Sequence, residues 1–197
     1  MTSPLSHQFE NALGFAFRLH KNQYRKQSRT PYISHLLAVT SIVLENDGTE
    51  NQAIAALLHD AAEDQGGYKT LLKIKELFGD EVSEIVEGCS DAFTDPKPKW
   101  KKRKSAYLEK LKSSSDEILL VSLADKIHNA RSILHDLLSP EEDIWSKFNG
   151  GKEGTLWYYQ SLVEIFNTSP YPELAAELHQ LVNKIVELSA YMENSKP

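Results

Sequence analysis

The run Ala53-Ile54-Ala55-Ala56-Leu57-Leu58 is wholly apolar, and it is followed at once by His59-Asp60-Ala61-Ala62-Glu63-Asp64. On a continuous helix His59 and Glu63 stand four apart, as do Asp60 and Asp64, so all four would project from one face roughly 140° wide. Three carboxylates buried side by side repel one another and are costly to desolvate unless a cation neutralises them. A divalent metal ion is the natural cation, with the adjacent His59 and Asp60 supplying an imidazole nitrogen and a carboxylate oxygen.

The remaining ligands must come from elsewhere in the chain. His35 sits near the start of an apolar helical run, and Asp125 interrupts the apolar sequence Val121-Ser122-Leu123-Ala124. Two His and two Asp give mixed nitrogen and oxygen ligation that suits Mn²⁺, Fe²⁺ or Zn²⁺ better than a thiolate-selective ion, and open positions would admit water. Mn²⁺ is the ion expected here. Taken singly, His35 is equally a structural or surface histidine, and Asp125 equally the partner of Lys126 or Arg131 in a helix-face ion pair.

Composition narrows the setting in which this chemistry would run. The chain has 197 residues, 41% hydrophobic and 25% charged, values that support one domain with a packed core rather than a disordered chain. Its formal charge of −6 argues against general nucleic-acid binding and toward a small-molecule substrate. Cys89 is the single cysteine, so no intrachain disulfide is possible. The N-terminus lacks the features of a signal peptide, and no apolar run approaches membrane-spanning length. A cytoplasmic protein with no membrane association is expected; oligomeric state is not legible.

The elements that must position these groups read as helices throughout, and strand signals are scarce. Phe9, Leu13, Ala16 and Phe17 keep helical spacing up to His20, and a polar loop follows from Lys21 to Pro31. Tyr32 to Leu44 forms a second helix with His35 in its first turn. Thr49 is a candidate N-cap for one helix running through Asp64 and closed by Gly66-Gly67. Leu71 to Phe78 and Glu81 to Cys89 give two more, and Ser90 to Pro98 a surface loop. A basic stretch leads into Tyr107 to Leu111. Asp116 would cap a long helix that groups Asp125, Lys126, His128, Asn129 and Arg131. A loop with a short helix begins at 139, and helices over Thr155–Asn167 and Pro172–Met192 complete an all-α single domain spanning 1–197.

Several motifs stand in a recognisable order: Arg25-Lys26, then Thr30-Pro31-Tyr32-Ile33-Ser34-His35, then Ala56 through Asp64, then Ser90-Asp91, and finally Leu123-Ala124-Asp125-Lys126-Ile127-His128-Asn129. In this the chain resembles the HD-type hydrolase domain of the RelA/SpoT alarmone enzymes, and most closely their stand-alone small alarmone hydrolases. The likeness is carried by residues about 20 to 135. It implies an HD-domain helical bundle that removes the 3′-pyrophosphate of guanosine tetra- or pentaphosphate with one Mn²⁺, and no synthetase part. Position by position, it implies His35, His59, Asp60 and Asp125 as metal ligands and Glu63-Asp64 as the catalytic acidic pair. Arg25, Lys26 and Asn129 would contact nucleotide or phosphate.

The sequence departs from the family pattern beside the pocket. Ala61-Ala62 stand where bulkier residues are common, Gln65-Gly66-Gly67 replaces an Asp/Thr-rich continuation, and the loop between Lys26 and Thr30 is shorter. Guanine and the adenosine analogue (p)ppApp therefore both remain open as the base. The run Lys97, Lys99, Lys101, Lys102, Arg103 and Lys104 is either solvated or an electrostatic rim for an anionic nucleotide. Trp157, Tyr158 and Tyr159 read as core or interface aromatics, one of which could close the pocket. Two other functions stay on the table: a different HD-type nucleotide phosphohydrolase, or a catalytically silent nucleotide-binding regulator.

Overall fold

A computed structural model describes residues 5–26, 28–93, 96–138 and 144–194. Among them the regular structure is helical, with one isolated bridge between Tyr24 and Pro31 holding the loop after the first helix. That helix, α1 (His7–His20), is capped by Ser6, whose hydroxyl accepts from the Gln8 N–H at 3.1 Å. α2 (Ile33–Glu45) ends where Asp47 turns to positive φ and Gly48 donates back to the Val43 carbonyl at 3.0 Å. A Cβ on Gly48 would lie 2.5 Å from Val43 Cγ1, so the close return needs glycine.

α3 (Glu50–Leu58) opens with a reciprocal cap: Gln52 N donates to Thr49 Oγ1, and Thr49 N donates to Gln52 Oε1 at 2.7 Å. Every residue from Gln52 to Leu58 is buried, because α1, α2, and the later helices α6 (Asp80–Cys89) and α8 (Asp116–Leu137) pack around it. The sequence led to one helix from Thr49 through Asp64. Instead, α3 stops at Leu58, His59-Asp60 form a turn, and α4 (Ala61–Asp64) is a single further turn. The cause is local: the His59 ring Nδ1 turns back to the Ala56 carbonyl at 2.8 Å, the acceptor that an Asp60 N–H would use in an unbroken helix. Asp60 meanwhile bends to φ −95°, ψ −5°, and accepts from the Tyr32 hydroxyl.

α5 (Tyr68–Phe78) and α6 meet at Gly79, whose φ of 93° makes the corner. α7 (Trp100–Leu111) begins earlier than expected and takes Lys101 to Lys104 into its first turns. The N-cap of α8 is Ser115, not Asp116, which instead places its carboxylate in the first turn, favourable to the helix dipole. Part of the loop expected from 139 lies outside the described residues; a 3₁₀ turn at Ile144–Lys147 supplies the short helix. α9 (Gly151–Phe166) and α10 (Pro172–Asn194) close the structure, with α10 laid along α8 and α9. Buried apolar residues from Ala12 on α1 to Ile185 on α10 form one cluster. No helix among the described residues is long and apolar enough to cross a membrane.

Packing of α6 on α8 is tight at Gly88, where an added Cβ would meet three side-chain atoms of Ile118 at 2.5 to 2.8 Å. Gly88→Ala gains about 1 kcal/mol of helix propensity, but crowding a packed contact costs about 1–3 kcal/mol. A net loss of stability is expected, read as a lower midpoint in urea unfolding.

Candidate metal centre and its cleft

Three separate parts of the chain bring their polar groups to one point. His35 lies in the first turn of α2, His59 and Asp60 in the turn between α3 and α4, and Asp125 midway along α8. Both imidazoles present Nε2 inward: His35 Nε2 is 3.2 Å from Asp125 Oδ1 and 3.6 Å from Asp60 Oδ2, and His59 Nε2 is 2.9 Å from Asp60 Oδ2 and 3.7 Å from Asp125 Oδ1. One ligand atom each from His35, His59 and Asp125 falls within 4.8 Å of the others. Neither Nε2 has a hydrogen-bond partner, although both are buried.

The outer ring nitrogens are engaged instead. His59 Nδ1 faces the Ala56 carbonyl, so it carries the proton and leaves Nε2 as a lone pair. His35 Nδ1 lies 2.7 Å from His128 Nδ1. Two buried, unpartnered imidazole Nε2 atoms beside two carboxylate oxygens form a donor set that suits a divalent first-row ion without thiolate preference. Without an ion, protons compensate in part: burial opposes charge on His59, but Asp60 and Asp125 outweigh it and hold the imidazole well above its usual range. Burial likewise opposes ionisation of Asp60 and Asp125. It is overcome for Asp60 by His59 and His35, and for Asp125 by Lys126 and the two histidines, so both carboxyls stay well below 3.8.

The surroundings hold the candidate ligands in place. Lys126 Nζ lies 2.5 Å from Asp125 Oδ2, so the ion pair weighed for Asp125 exists alongside its convergence on the two histidines. Asn129 donates to Asp125 Oδ1 at 2.5 Å and accepts from Arg25 Nη2 at 2.7 Å. It thereby stands between a basic loop residue and the centre. Arg25 also lies over the Tyr32 ring, whereas Lys26 is exposed, with Nζ 3.5 Å from Asn149 Oδ1.

Glu63 and Asp64 sit one turn beyond, held by different means. Glu63 Oε1 takes Lys97 Nζ at 2.9 Å and Arg103 Nη1 at 3.4 Å, while Oε2 accepts from the Asp91 N–H at 3.3 Å. Asp64 Oδ2 accepts from the Gln23 amide at 2.8 Å. Burial raises the pKa of both; Asp91 adds to the effect on Glu63, and Asp60 to that on Asp64. Each is thereby a stronger proton acceptor than an exposed carboxylate.

Beside the centre, and sharing Tyr32, Glu63, Asp64 and Asn129 with its surroundings, lies a cleft of about 1080 Å³ whose walls include Arg25, Lys26, Arg103, Lys104, Arg131 and Lys147. The basic run divides between its two readings. Arg103 and Lys104 turn to the buried Asp91 at 2.5 and 2.8 Å and line the cleft, while Lys99 and Lys102 are exposed. Tyr158 and Tyr159 are buried and also border the cleft, whereas Trp157 packs against Trp100 and Lys101. Sequence reasoning had assigned no role to Tyr32, Gln23 or His128. His128 was accessible to it, since it lies three residues after Asp125 on the same helix face. Gln23 belongs to a loop with no periodicity to mark it.

The HD domain family matches residues 12–156 of this helical bundle, and the chain belongs to that family. The resemblance read from the ordered motifs is confirmed by its relatives. Guanosine-3′,5′-bis(diphosphate) 3′-pyrophosphohydrolase MESH1 of Xenopus tropicalis is 40% identical over 125 residues, covering 62% of this chain and 67% of that protein. The Homo sapiens MESH1 protein is 38% identical over 129 residues, covering 64% and 69%. The bifunctional (p)ppGpp synthase/hydrolase SpoT of Escherichia coli is 35% identical over 58% of this chain but only 16% of its own length. Among solved structures, a metazoan orthologue of SpoT that hydrolyses ppGpp superposes with a TM-score of 0.75 at 27% identity, covering 93% of this chain and 98% of that one.

Proposed function

We propose that this protein is a metal-dependent 3′-pyrophosphohydrolase of nucleotide alarmones, acting on guanosine tetra- or pentaphosphate, with adenosine counterparts as second candidates. The observation that carries this reading is the convergence of two unpartnered imidazole Nε2 atoms with Asp60 and Asp125 beside a cation-lined cleft. The names of the relatives supply the substrate class. His35, His59, Asp60 and Asp125 would hold the ion, which we take to be Mn²⁺. When bound, such an ion contributes Lewis acidity toward a phosphoryl oxygen and toward water.

The chain's own residues supply the rest. Glu63 and Asp64, with raised pKa values, orient a water and accept its proton as its oxygen attacks the phosphorus esterified to the ribose 3′-oxygen. The bond from phosphorus to that oxygen breaks, pyrophosphate leaves, and the proton passes to the 3′-oxygen. Arg25 offers guanidinium donors to phosphate while Asn129 holds it in place, and Lys26 adds a mobile charge at the rim. Cytoplasmic action is our reading as well, supported by a lone cysteine that can form no intrachain disulfide.

The test is direct: purified protein with Mn²⁺ should release pyrophosphate from guanosine tetraphosphate, and a parallel assay with the adenosine analogue sets base preference. Tight binding of both without turnover would replace this reading with that of a nucleotide-binding regulator.

A further inference from the structure

Among the buried groups that the mechanism does not use, one reaches the catalytic pair through a neighbour. His20, at the end of α1, is 2% exposed and stacks on Tyr32 with ring centroids 5.2 Å apart. Its Nδ1 lies 2.7 Å from Gln23 Oε1, and its Nε2 is buried without a partner. Gln65 Nε2 donates to the same Gln23 Oε1 at 2.6 Å. The other end of the Gln23 amide donates to Asp64 at 2.8 Å.

These contacts admit one orientation of the amide. Reversed, Gln23 would turn its oxygen toward the Asp64 carboxylate and its NH₂ toward the NH₂ of Gln65, two repulsive contacts in place of two hydrogen bonds. With Oε1 as the shared acceptor, His20 must donate from Nδ1, which leaves Nε2 a bare lone pair. A buried lone pair without a partner costs less than a buried unpaired N–H donor, and burial draws His20 toward its neutral form.

We propose that Gln23 is a positioning residue for Asp64, its amide locked by His20 and Gln65 so that the carboxylate is aimed at the attacking water. This rests on the reaction proposed above. Asp64 has no cation at hydrogen-bonding distance among the described residues, unlike Glu63, so this neutral amide is what orients it without neutralising its charge.

The test uses the Mn²⁺-loaded protein and guanosine tetraphosphate. Gln23→Met and His20→Phe are expected to lower kcat roughly ten- to hundredfold, the scale of a misplaced reacting group, with KM and bound metal near wild type. His20→Asn, whose side-chain N–H can stand in for Nδ1–H, should recover most of the loss, and Gln65→Ala should lose part of it. Unchanged kcat in Gln23→Met overturns the proposal. So does a raised KM at unchanged kcat, which would make Gln23 a substrate contact, or loss of metal, which would move its effect to the ion. A second readout is the ¹⁵N spectrum of His20, expected as the Nδ1–H tautomer in wild type and altered in Gln23→Met; an Nε2–H tautomer in wild type overturns the proposal. The spectrum decides the lock even where wild type turns nothing over, a result that counts against the reaction instead.

Discussion

Asp60→Ala is expected to leave the protein without stoichiometric metal, while Glu63→Ala keeps its metal and loses roughly 10²–10⁴-fold in turnover, the contribution of a general acid or base. The separation follows from distance to the two imidazoles. Asp60 Oδ2 lies 2.9 Å from His59 Nε2 and 3.6 Å from His35 Nε2, so its removal takes an anionic donor from the set and strands buried nitrogens. Glu63 touches neither imidazole; its contacts are Lys97, Arg103 and the Asp91 backbone. Removing its charge frees two cations beside the cleft without changing the donors. Metal per chain by elemental analysis, set beside initial rates, checks both halves. An equal fall of metal in the two variants would show that the ligand layer and the water-activating layer are one.

Saturating metal is expected to raise the melting temperature by roughly 5–10 °C, and by more at higher pH. An ion at a hundred times its Kd contributes about 2.7 kcal/mol, and a chain of this size gains about 2–4 °C per kcal/mol. The sign of the pH effect comes from the ligands. His59 in the metal-free protein is held well above 6.5, so its proton stabilises the fold fully below 6.5, and that contribution is lost as pH rises through the raised value. Asp60 and Asp125 are held below 3.8, so their contribution is present above 3.8 and lost as pH falls through the lowered values. The ion replaces the His59 proton and has none to lose. The gap between metal-loaded and metal-free melting curves should therefore widen as pH rises from 6.5 through the raised His59 value and proton competition fades. Scanning calorimetry with and without Mn²⁺ measures it; a gap that narrows over that range would contradict the ligand assignment.

The sequence was legible where physics is local or where polarity contradicts its surroundings. α2, α6 and α10 lie within two residues of their periodic patterns, and α5 and α9 end within a residue of theirs but start up to a turn earlier, because amphipathic spacing and stop residues act within a turn or two. His35, His59, Asp60 and Asp125 stood out as polar residues in apolar runs, and these are the groups the fold brings together. The break at His59-Asp60 was not legible. It depends on a ring-to-carbonyl bond to Ala56 and on a hydroxyl from Tyr32, 28 positions away, and neither leaves a mark on periodicity. The early start of α7 was masked by lysines and an arginine, which suit a loop or an exposed helix equally. Gln23 carried no signal because its partner Asp64 is 41 positions away, and Asp91, legible as part of a motif, gave no sign of its pairing with Arg103 and Lys104 on the following helix.

Trp100 seats α7 on α9, filling the space where Gly150 and Gly154 carry no side chain: a Cβ at those positions would stand 2.6 and 3.1 Å from its ring. Arg103 and Lys104 ride on that helix. A side chain at Gly150 would force the Trp100 ring to move, and one at Gly154 would press on it more gently, so the seat of the helix that carries Arg103 and Lys104 depends on both glycines. The reach of the basic wall to Glu63 and Asp91 is thus set from a distance, by two positions that carry no side chain rather than by the wall's own residues.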